Sequence, residues 1–253
     1  MKSIDLLKKL HENVKAFKNS DDFKNHLRTL SKFHTYSWRN RFSIMLHCPS
    51  ATLVKGFVQW KELGRFVKTN QRGIPIFIRK YKRVANTGIE DEDLYIFYDI
   101  GYVFDISQTD GKELPLITIE TKTVEGEEYL EKLIREIRID GIEVIEKKIE
   151  SGAYGISKIG TIAITENLSP SMKFSTLLHE WAHEKMHKME ERIKWAKDQK
   201  EFEAESVSFL VCSSLSVPTH SEKYLSHYPD YDLEKSMSRV VTIADGFLVR
   251  LQK

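Results

Sequence analysis

Cysteine is scarce in this sequence, with only Cys48 and Cys212 among 253 residues. Two thiols are too few for a disulfide framework or a cysteine-rich zinc site, which agrees with a reducing compartment. Long apolar runs are also lacking, since no stretch approaches the roughly 18 to 20 apolar residues of a membrane span. The first 15 residues have neither the unbroken apolar core nor the small-residue cleavage site of a signal peptide. These absences exclude an integral membrane protein and predict a cytoplasmic one.

The net charge of +2 is the sum of two unlike parts. Residues 1–85 hold 19 Lys and Arg against 5 Asp and Glu, whereas residues 86–253 hold 20 against 32. This asymmetry is typical of a polyanion-binding part joined to a second part of different function. Two solvated surfaces of opposite charge that dock on each other would give the same totals. Charge alone does not separate these two interpretations.

The hydropathy pattern predicts an N-terminal domain over residues 1–112. Apolar residues at helical spacing predict helices within residues 3–47, the last of which covers 38–47. Short apolar runs divided by glycines predict strands and tight turns over residues 51–82, and a further strand covers 94–106. We therefore expect the first domain to combine helices with a β-sheet.

A second domain is predicted over residues 129–253, after a linker over 113–128. An exposed acidic excursion is predicted over residues 85–93, inside the first domain. Ser169 and Pro170 are suited to begin a helix as its N-cap and first residue. The predicted elements of the second domain are strands over 142–148 and 159–165 and helices over 129–137, 170–188, 196–215 and 233–251. The whole chain is thus expected to be an α+β protein of two domains.

The motif H-E-x-x-H, formed by His179, Glu180 and His183, lies inside the predicted helix over 170–188. Residues four apart project from one face of a helix, so both imidazoles can bind one Zn²⁺ ion. Three protein ligands would leave a fourth position for water, as in catalytic zinc sites. Glu180 is then predicted to accept the proton of that water as the general base.

The third metal ligand is expected on the following helix, where Glu201, Glu203 and Glu205 supply three carboxylates. The order Glu-x-x-small-acid resembles the ligand helix of zinc peptidases whose third ligand is a glutamate. It assigns the ligand to Glu201, and it assigns Glu205 to orient a ligating histidine by accepting its free N–H. Glu203 is predicted to be solvated. His187 continues the stripe of histidines, and we expect it at the surface or against a ligand.

A substrate cleft is expected beside this helix. The strand over 159–165 is predicted to be an edge strand that pairs with extended substrate backbone. Residues 151–155 are predicted to form a flexible loop able to cover the cleft. Tyr154 within this loop is either an oxyanion-stabilising group or an ordinary loop residue.

Aromatic and basic residues are interleaved in the N-terminal part. This combination is typical of single-stranded nucleic-acid binding, because flat side chains stack on bases while cations contact phosphates. About half of the aromatic side chains are needed for the core of such a domain. The candidate DNA-binding residues are Tyr36, Trp38, Arg39, Asn40, Arg41, Trp60, Arg65, Lys68 and Arg72.

Several segments together resemble a known protein family. The matching N-terminal segments are Tyr36-Ser37-Trp38-Arg39-Asn40, Gly56-Phe57, Trp60-x-x-Leu63-Gly64-Arg65-x-Val67, Gly73-Ile74-x-Ile76 and residues 103–111. They resemble the single-stranded-DNA-binding domain of ArdC-type antirestriction proteins. Residues 179–183 and Glu201-x-x-Ala204-Glu205 are similar to the zincin domain behind it, which is related to ImmA/IrrE-type metallopeptidases. The acidic excursion at residues 90–93 departs from the family pattern.

The resemblance implies a plasmid- or phage-associated protein that binds single-stranded DNA and protects incoming DNA from restriction. The predicted function is a DNA-binding zinc metallopeptidase that acts on an unknown protein substrate. The alternative is a DNA-binding protective factor whose zinc is structural and whose peptidase chemistry is not required. A third possibility is a protease that cleaves a DNA-bound repressor.

Overall fold

The computed structural model describes residues 5–6, 27–33, 35–84, 93–114, 127–187, 195–219 and 233–253. Most of the predicted excursion, at 85–92, and most of the predicted linker, at 115–126, lie outside these ranges, as do most of the helices predicted before residue 27. The chain divides into two compact units, of which one includes residues 39–116 and the other includes residues 17–38 and 117–253. Both units mix helices and sheets, which confirms the predicted α+β class.

The first unit is built around a long antiparallel strand pair. The elements between residues 38 and 111 are helices α1 (Trp38–His47) and α2 (Phe57–Glu62) and strands β1 (Val54–Gly56), β2 (Arg65–Val67), β3 (Ile74–Val84), β4 (Asp93–Asp105) and β5 (Thr109–Gly111). Strand β4 pairs with β3 on one side and with β1 on the other, and β2 pairs with β5 in a separate small sheet. Helix α1 and the strand predicted over 94–106 are confirmed.

Helix α2 corrects the prediction of only strands and turns over residues 51–82. Gly56 precedes the helix, and its backbone N–H donates to Gln59 Oε1 at 2.9 Å. Trp60 is fully buried, and its indole N–H donates to the carbonyl oxygen of Phe104 at 2.9 Å. Six residues are too few for helical periodicity to emerge from the sequence, so the flanking glycines suggested a turn.

Helix α1 closes the outer edge of β3 through two side chains. Asn40 Nδ2 donates to the carbonyl oxygen of Phe77 at 2.9 Å, and Phe77 N donates back to Asn40 Oδ1 at 2.8 Å. Ser43 Oγ donates to the carbonyl oxygen of Pro75 at 2.6 Å. These bonds satisfy backbone groups that an edge strand would otherwise leave unpaired.

The second unit packs helices beside a three-stranded sheet. The elements from residue 127 onward are helices α3 (Glu127–Ile139), α4 (Pro170–Met186), α5 (Lys197–Ser214) and α6 (Leu233–Gln252) and strands β6 (Glu143–Glu146), β7 (Gly155–Lys158) and β8 (Thr161–Ile164). The strand order is β6-β8-β7, in which β6 is parallel and β7 antiparallel to β8. All helices and strands predicted here exist, with ends shifted by a few residues.

The edge strand of this sheet is not the one predicted from the sequence. Strand β8 is central, and β7 lies at the edge, where it begins at Gly155, the last residue of the predicted loop. The two strands form a hairpin whose turn includes Gly160 at φ +77°, a conformation that favours glycine. The prediction failed because a four-residue strand that begins with glycine carries almost no periodic signal.

Trp181 lies within the H-E-x-x-H motif and packs α4 against α6 and the end of α3. Its ring is fully buried and stacks on Phe247 of α6 with ring centroids 3.7 Å apart. Its indole N–H donates to Asp140 at 2.9 Å, and Arg250 donates to the same carboxylate at 2.9 and 3.0 Å. Trp181, a motif residue that is not a candidate metal ligand, therefore fixes the position of the helix that carries the site.

Among the helices in the described ranges, none combines the length and the apolar character that would let it cross a membrane.

Candidate metal centre

The helix that carries the motif begins as the sequence predicts. Ser169 Oγ accepts a hydrogen bond from Met172 N at 3.4 Å, and Pro170 occupies the first turn. Phe174, Leu177 and Leu178 are fully buried, so this face of α4 anchors the helix in the core. The histidines of the motif then project toward α5.

The structure brings His179, His183 and Glu201 together. The Nε2 atoms of the two histidines are 3.0 Å apart, and Glu201 Oε2 lies 3.4 Å from His179 Nε2 and 3.6 Å from His183 Nε2. In a tetrahedral site with bonds of about 2.0 to 2.2 Å, ligand atoms are about 3.3 to 3.6 Å apart. The two distances to Glu201 have this spacing and the distance between the histidines is slightly shorter, so the three atoms are close enough to hold one divalent ion. The Glu201 side chain is 50% exposed, so the group opens to solvent.

The second carboxylate predicted on α5 contacts the first histidine. Glu205 Oε2 lies 2.7 Å from His179 Nδ1, and both side chains are largely buried. Burial lowers the pKa of His179, but its contacts with Glu201 and Glu205 outweigh that effect and raise the pKa to about 10. Hydrogen bonds with His179 and His183 hold the pKa of Glu201 well below its usual range. A proton and a metal ion therefore compete for His179 Nε2.

Glu180 is buried beside the three candidate ligands. Burial raises the pKa of its carboxyl group, the positive charge of His179 opposes this, and the charge of Glu201 adds to it. The backbone of β7 lies directly against this side chain, since a Cβ atom added at Gly155 would be 2.9 Å from Glu180 Oε1. Ser157 in the same strand also hydrogen-bonds to Glu180. The carboxylate is thus held between α4 and the edge strand, with a raised pKa.

Glu203 is not solvated, which corrects the prediction. It is 1% exposed, and its Oε2 lies 2.9 Å from His187 Nε2. His187 is also 1% exposed, and its Nδ1 lies 3.1 Å from His183 Nδ1. Of the two positions considered for His187, the surface position is therefore wrong, and the residue lies against the candidate ligand His183. Sequence reasoning missed the burial of Glu203 because its partner His187 lies at the end of α4, and the spacing of residues within α5 cannot reveal a contact with another helix.

Four candidate DNA-binding residues are unavailable to DNA because the structure buries their side chains. These residues are Trp38, Asn40, Arg41 and Trp60. Asn40 and Trp60 are occupied by the hydrogen bonds that hold the first unit together. Large aromatic side chains in a small domain are needed first for its core, and the sequence pattern did not separate core from surface.

The other five candidates retain at least part of their surface. Arg39 and Arg72 are exposed, and Tyr36 is half-buried. Arg65 donates to Thr109 and to the carbonyl oxygen of Lys112, so it joins β2 to β5. Lys68 is 40% exposed and lies 3.5 Å from Asp110. The last two side chains thus serve the local fold as well as carrying charge.

Sequence reasoning missed a set of exposed aromatic residues on β3 and β4. Tyr81, Tyr98 and Tyr102 are 56%, 52% and 51% exposed. In the strand register Arg79 pairs with Tyr98 and Pro75 with Tyr102, so Arg79 and the three tyrosines share one face of the sheet. Their alternation along the two predicted strands was the available signal. Tyr154, in the second unit, is 49% exposed.

Comparison with known proteins gives a family match and a fold match. Residues 4–125 match the sequence model of the N-terminal domain of anti-restriction factor ArdC. An uncharacterized Bacillus anthracis protein, pXO2-81, is 24% identical over 296 aligned residues, which cover 97% of this chain. This chain spans 50% of the length of that relative.

Two crystal structures of antirestriction ArdC from the R388 plasmid are similar in fold. Each is 17% identical and covers 85% of this chain. The metal-free structure has a TM-score of 0.53 with 83% of its own chain covered. The Mn(II)-bound structure has a TM-score of 0.50 with 86% covered.

Proposed function

The chain belongs to the ArdC-type antirestriction proteins, and from this premise we propose that it is a metal-dependent peptide hydrolase that also binds single-stranded DNA. The observation that carries the hydrolase proposal is the triangle of ligand atoms from His179, His183 and Glu201, with sides of 3.0, 3.4 and 3.6 Å. Protection of a mobile element against restriction is the biological role that fits the family.

His179, His183 and Glu201 would hold the metal ion. Two imidazoles and one carboxylate at tetrahedral spacing favour Zn²⁺. The Mn(II)-bound structure of the R388 relative supports a divalent ion in this family. When bound there, the ion would supply a Lewis acid that activates water and polarises a carbonyl group.

Glu180 is the general base of the proposed reaction. It directly follows the ligand His179, and its burial raises its pKa, which brings the carboxylate closer to the basicity needed at neutral pH. Gly155 and Ser157 hold the side chain in one place, so it is positioned before substrate arrives. The Glu180 carboxylate accepts the proton of the attacking water and can return it to the leaving amine.

The substrate is an extended peptide segment that pairs with β7. Within the described residues β7 pairs only with β8, which leaves its other edge without a strand partner. An extended peptide can add to such an edge through main-chain hydrogen bonds. Because β7 contacts Glu180 directly, a peptide on this edge would pass beside the general base.

Metal removal tests the hydrolase proposal. Peptide cleavage by the wild-type chain should disappear after dialysis against a chelator and return on addition of about one equivalent of Zn²⁺. A mixture of unstructured peptides incubated with the protein and analysed by mass spectrometry provides the measurement. Cleavage that persists unchanged without metal would contradict the proposal.

The face with Tyr81, Tyr98 and Tyr102 is the proposed binding surface for single-stranded DNA. Three half-exposed tyrosines offer ring faces on which unpaired bases can stack. Arg79 lies beside Tyr81 and opposite Tyr98 on this face, and it hydrogen-bonds with both tyrosines while carrying the positive charge that any guanidinium has at neutral pH. Single-stranded DNA presents bases and phosphates side by side, so the tyrosine rings could stack on bases while the guanidinium contacts a phosphate.

Single substitutions on this face should weaken DNA binding. Tyr81→Ala, Tyr98→Ala and Tyr102→Ala should each cost about 1 to 3 kcal/mol of binding free energy to a labelled oligothymidine, measured by fluorescence anisotropy. Tyr154→Ala is the matched control, because it removes an equally exposed tyrosine of the second unit. If all four variants bind with the affinity of the wild type, DNA binds at another surface. If the wild type does not bind the oligonucleotide, the DNA-binding proposal is wrong.

A further inference from the structure

We infer that His187 and Glu203 are positioning residues for the metal site, because they fix the tautomer and the ring orientation of His183. This inference rests on the proposed metal site. It assigns a role to two buried polar residues that the hydrolase proposal does not use. It also explains why two ionisable side chains, each 1% exposed, occur together between α4 and α5.

The contacts form one continuous chain from the metal site to α6. His183 Nδ1 lies 3.1 Å from His187 Nδ1, and His187 Nε2 lies 2.9 Å from Glu203 Oε2. Arg239 of α6 comes next, with its Nη2 atom 3.6 Å from Glu203 Oε2. The same Nη2 donates to the carbonyl oxygen of Met186 at 2.9 Å, which joins α6 to the end of α4.

The hydrogen positions along this chain follow from the requirement of metal binding. His183 Nε2 faces His179 and Glu201, so it must be free of hydrogen to bind an ion. The hydrogen of the neutral ring is then on Nδ1 and is donated to His187 Nδ1. His187 accordingly carries its own hydrogen on Nε2 and donates it to Glu203. Each ring N–H in the chain has one acceptor, so a single arrangement satisfies both histidines.

The two metal histidines are therefore supported by the same helix in different ways. His179 contacts Glu205 directly at 2.7 Å, whereas His183 reaches Glu203 through the ring of His187. Glu203 and Glu205 both belong to α5, which also carries Glu201. Carboxylates that orient ligating imidazoles typically contribute about 10-fold to 100-fold to metal affinity. Helix α5 thus supplies one ligand and the terminal acceptor for each of the other two.

Zinc affinity measured by competition with a chromophoric chelator tests this role. His187→Ala and Glu203→Ala should each lower affinity by about 10-fold to 100-fold. Glu203→Gln should lose less, because its amide oxygen can still accept from His187. Ser208→Ala is the control, since it breaks another buried contact of α5, the bond from Ser208 Oγ to the carbonyl oxygen of Ser175 in α4, which involves neither His187 nor Glu203.

A purely structural role predicts a different pattern. In that case Ser208→Ala and His187→Ala would lower metal affinity in proportion to their loss of folding stability, measured by urea unfolding without metal. If His187 positions His183, the visible spectrum of the Co²⁺-loaded protein should change in His187→Ala and stay unchanged in Ser208→Ala. Unaltered affinity and spectrum in His187→Ala would overturn the positioning role alone, whereas a wild-type chain that binds neither Zn²⁺ nor Mn²⁺ would overturn the metal site itself.

Discussion

Glu180→Gln is expected to lower metal-dependent peptide hydrolysis by about 10²-fold to 10⁴-fold, the range associated with loss of a general base. The amide has nearly the same shape as the carboxylate but cannot accept the proton of water. Because the side chain is buried against Gly155, the isosteric change should leave the packing of β7 on α4 intact. Metal content should stay at the wild-type value, because Glu180 is not among the three grouped ligand atoms.

The control is Glu184→Gln, the same substitution one helical turn later. Glu184 accepts a hydrogen bond from Gly160 N at 3.1 Å, and a glutamine oxygen can replace it in that role. Hydrolysis should therefore be close to wild type. Equal hydrolysis by Glu180→Gln and the wild type would contradict the assigned mechanism. If cells that carry Glu180→Gln keep full protection against restriction, the hydrolase is dispensable and the chain acts as a DNA-binding protective factor.

His183→Ala is expected to abolish the stabilisation of the fold by metal. A metal ion at about 1,000 times its dissociation constant adds about 4 kcal/mol to the free energy of unfolding. The wild-type chain should show this gain in urea unfolding with and without Zn²⁺. His183→Ala should show almost none, because it removes one of three ligands and should cost more than the roughly 10-fold to 100-fold attributed to an orienting partner. Glu184→Gln should keep the full gain.

The stabilisation by metal should also grow between about pH 6 and about pH 9. The pKa of His179 is raised to about 10, so a proton must leave this ring before the ion binds, and its loss becomes easier as pH rises. In the metal-free protein the same raised pKa contributes stability below the ordinary value of 6.5, and this contribution is lost as pH rises toward 10. Loss of this one proton accounts for both changes, so the difference in stability between metal-loaded and metal-free protein increases with pH. A stabilisation by metal that does not change with pH would indicate that the ion does not bind to His179.

The long helices of the second unit could be predicted closely because each has an apolar stripe or a local start signal. Ser169 and Pro170 mark the start of α4, and both occupy the predicted positions. Short elements were harder, since α2 and β7 have six and four residues. In both, a glycine at the start suggested a turn or loop. Helix α2 is held by a hydrogen bond from Trp60 to Phe104, 44 residues away, whereas β7 is defined by its pairing with β8 in the same hairpin.

Distance along the chain explains the errors among the site residues as well. Trp60 and Asn40 occur in a basic, aromatic-rich segment typical of DNA binding, yet both bond to backbone groups 44 and 37 residues away. Local composition cannot show which aromatic side chains fill the core. The exposed Tyr98 and Tyr102 were overlooked because they occur in a strand that was assigned only a structural role.

The sequence by itself determined which residues could bind a metal, because the four-residue spacing of His179 and His183 places both on one helical face. It also identified Glu201 and Glu205, which the structure brings to the same histidines. Only the tertiary structure decided that Glu203 and His187 belong to this network. Helical periodicity shows which residues share a face, whereas the packing of α4 against α5 decides what each face meets.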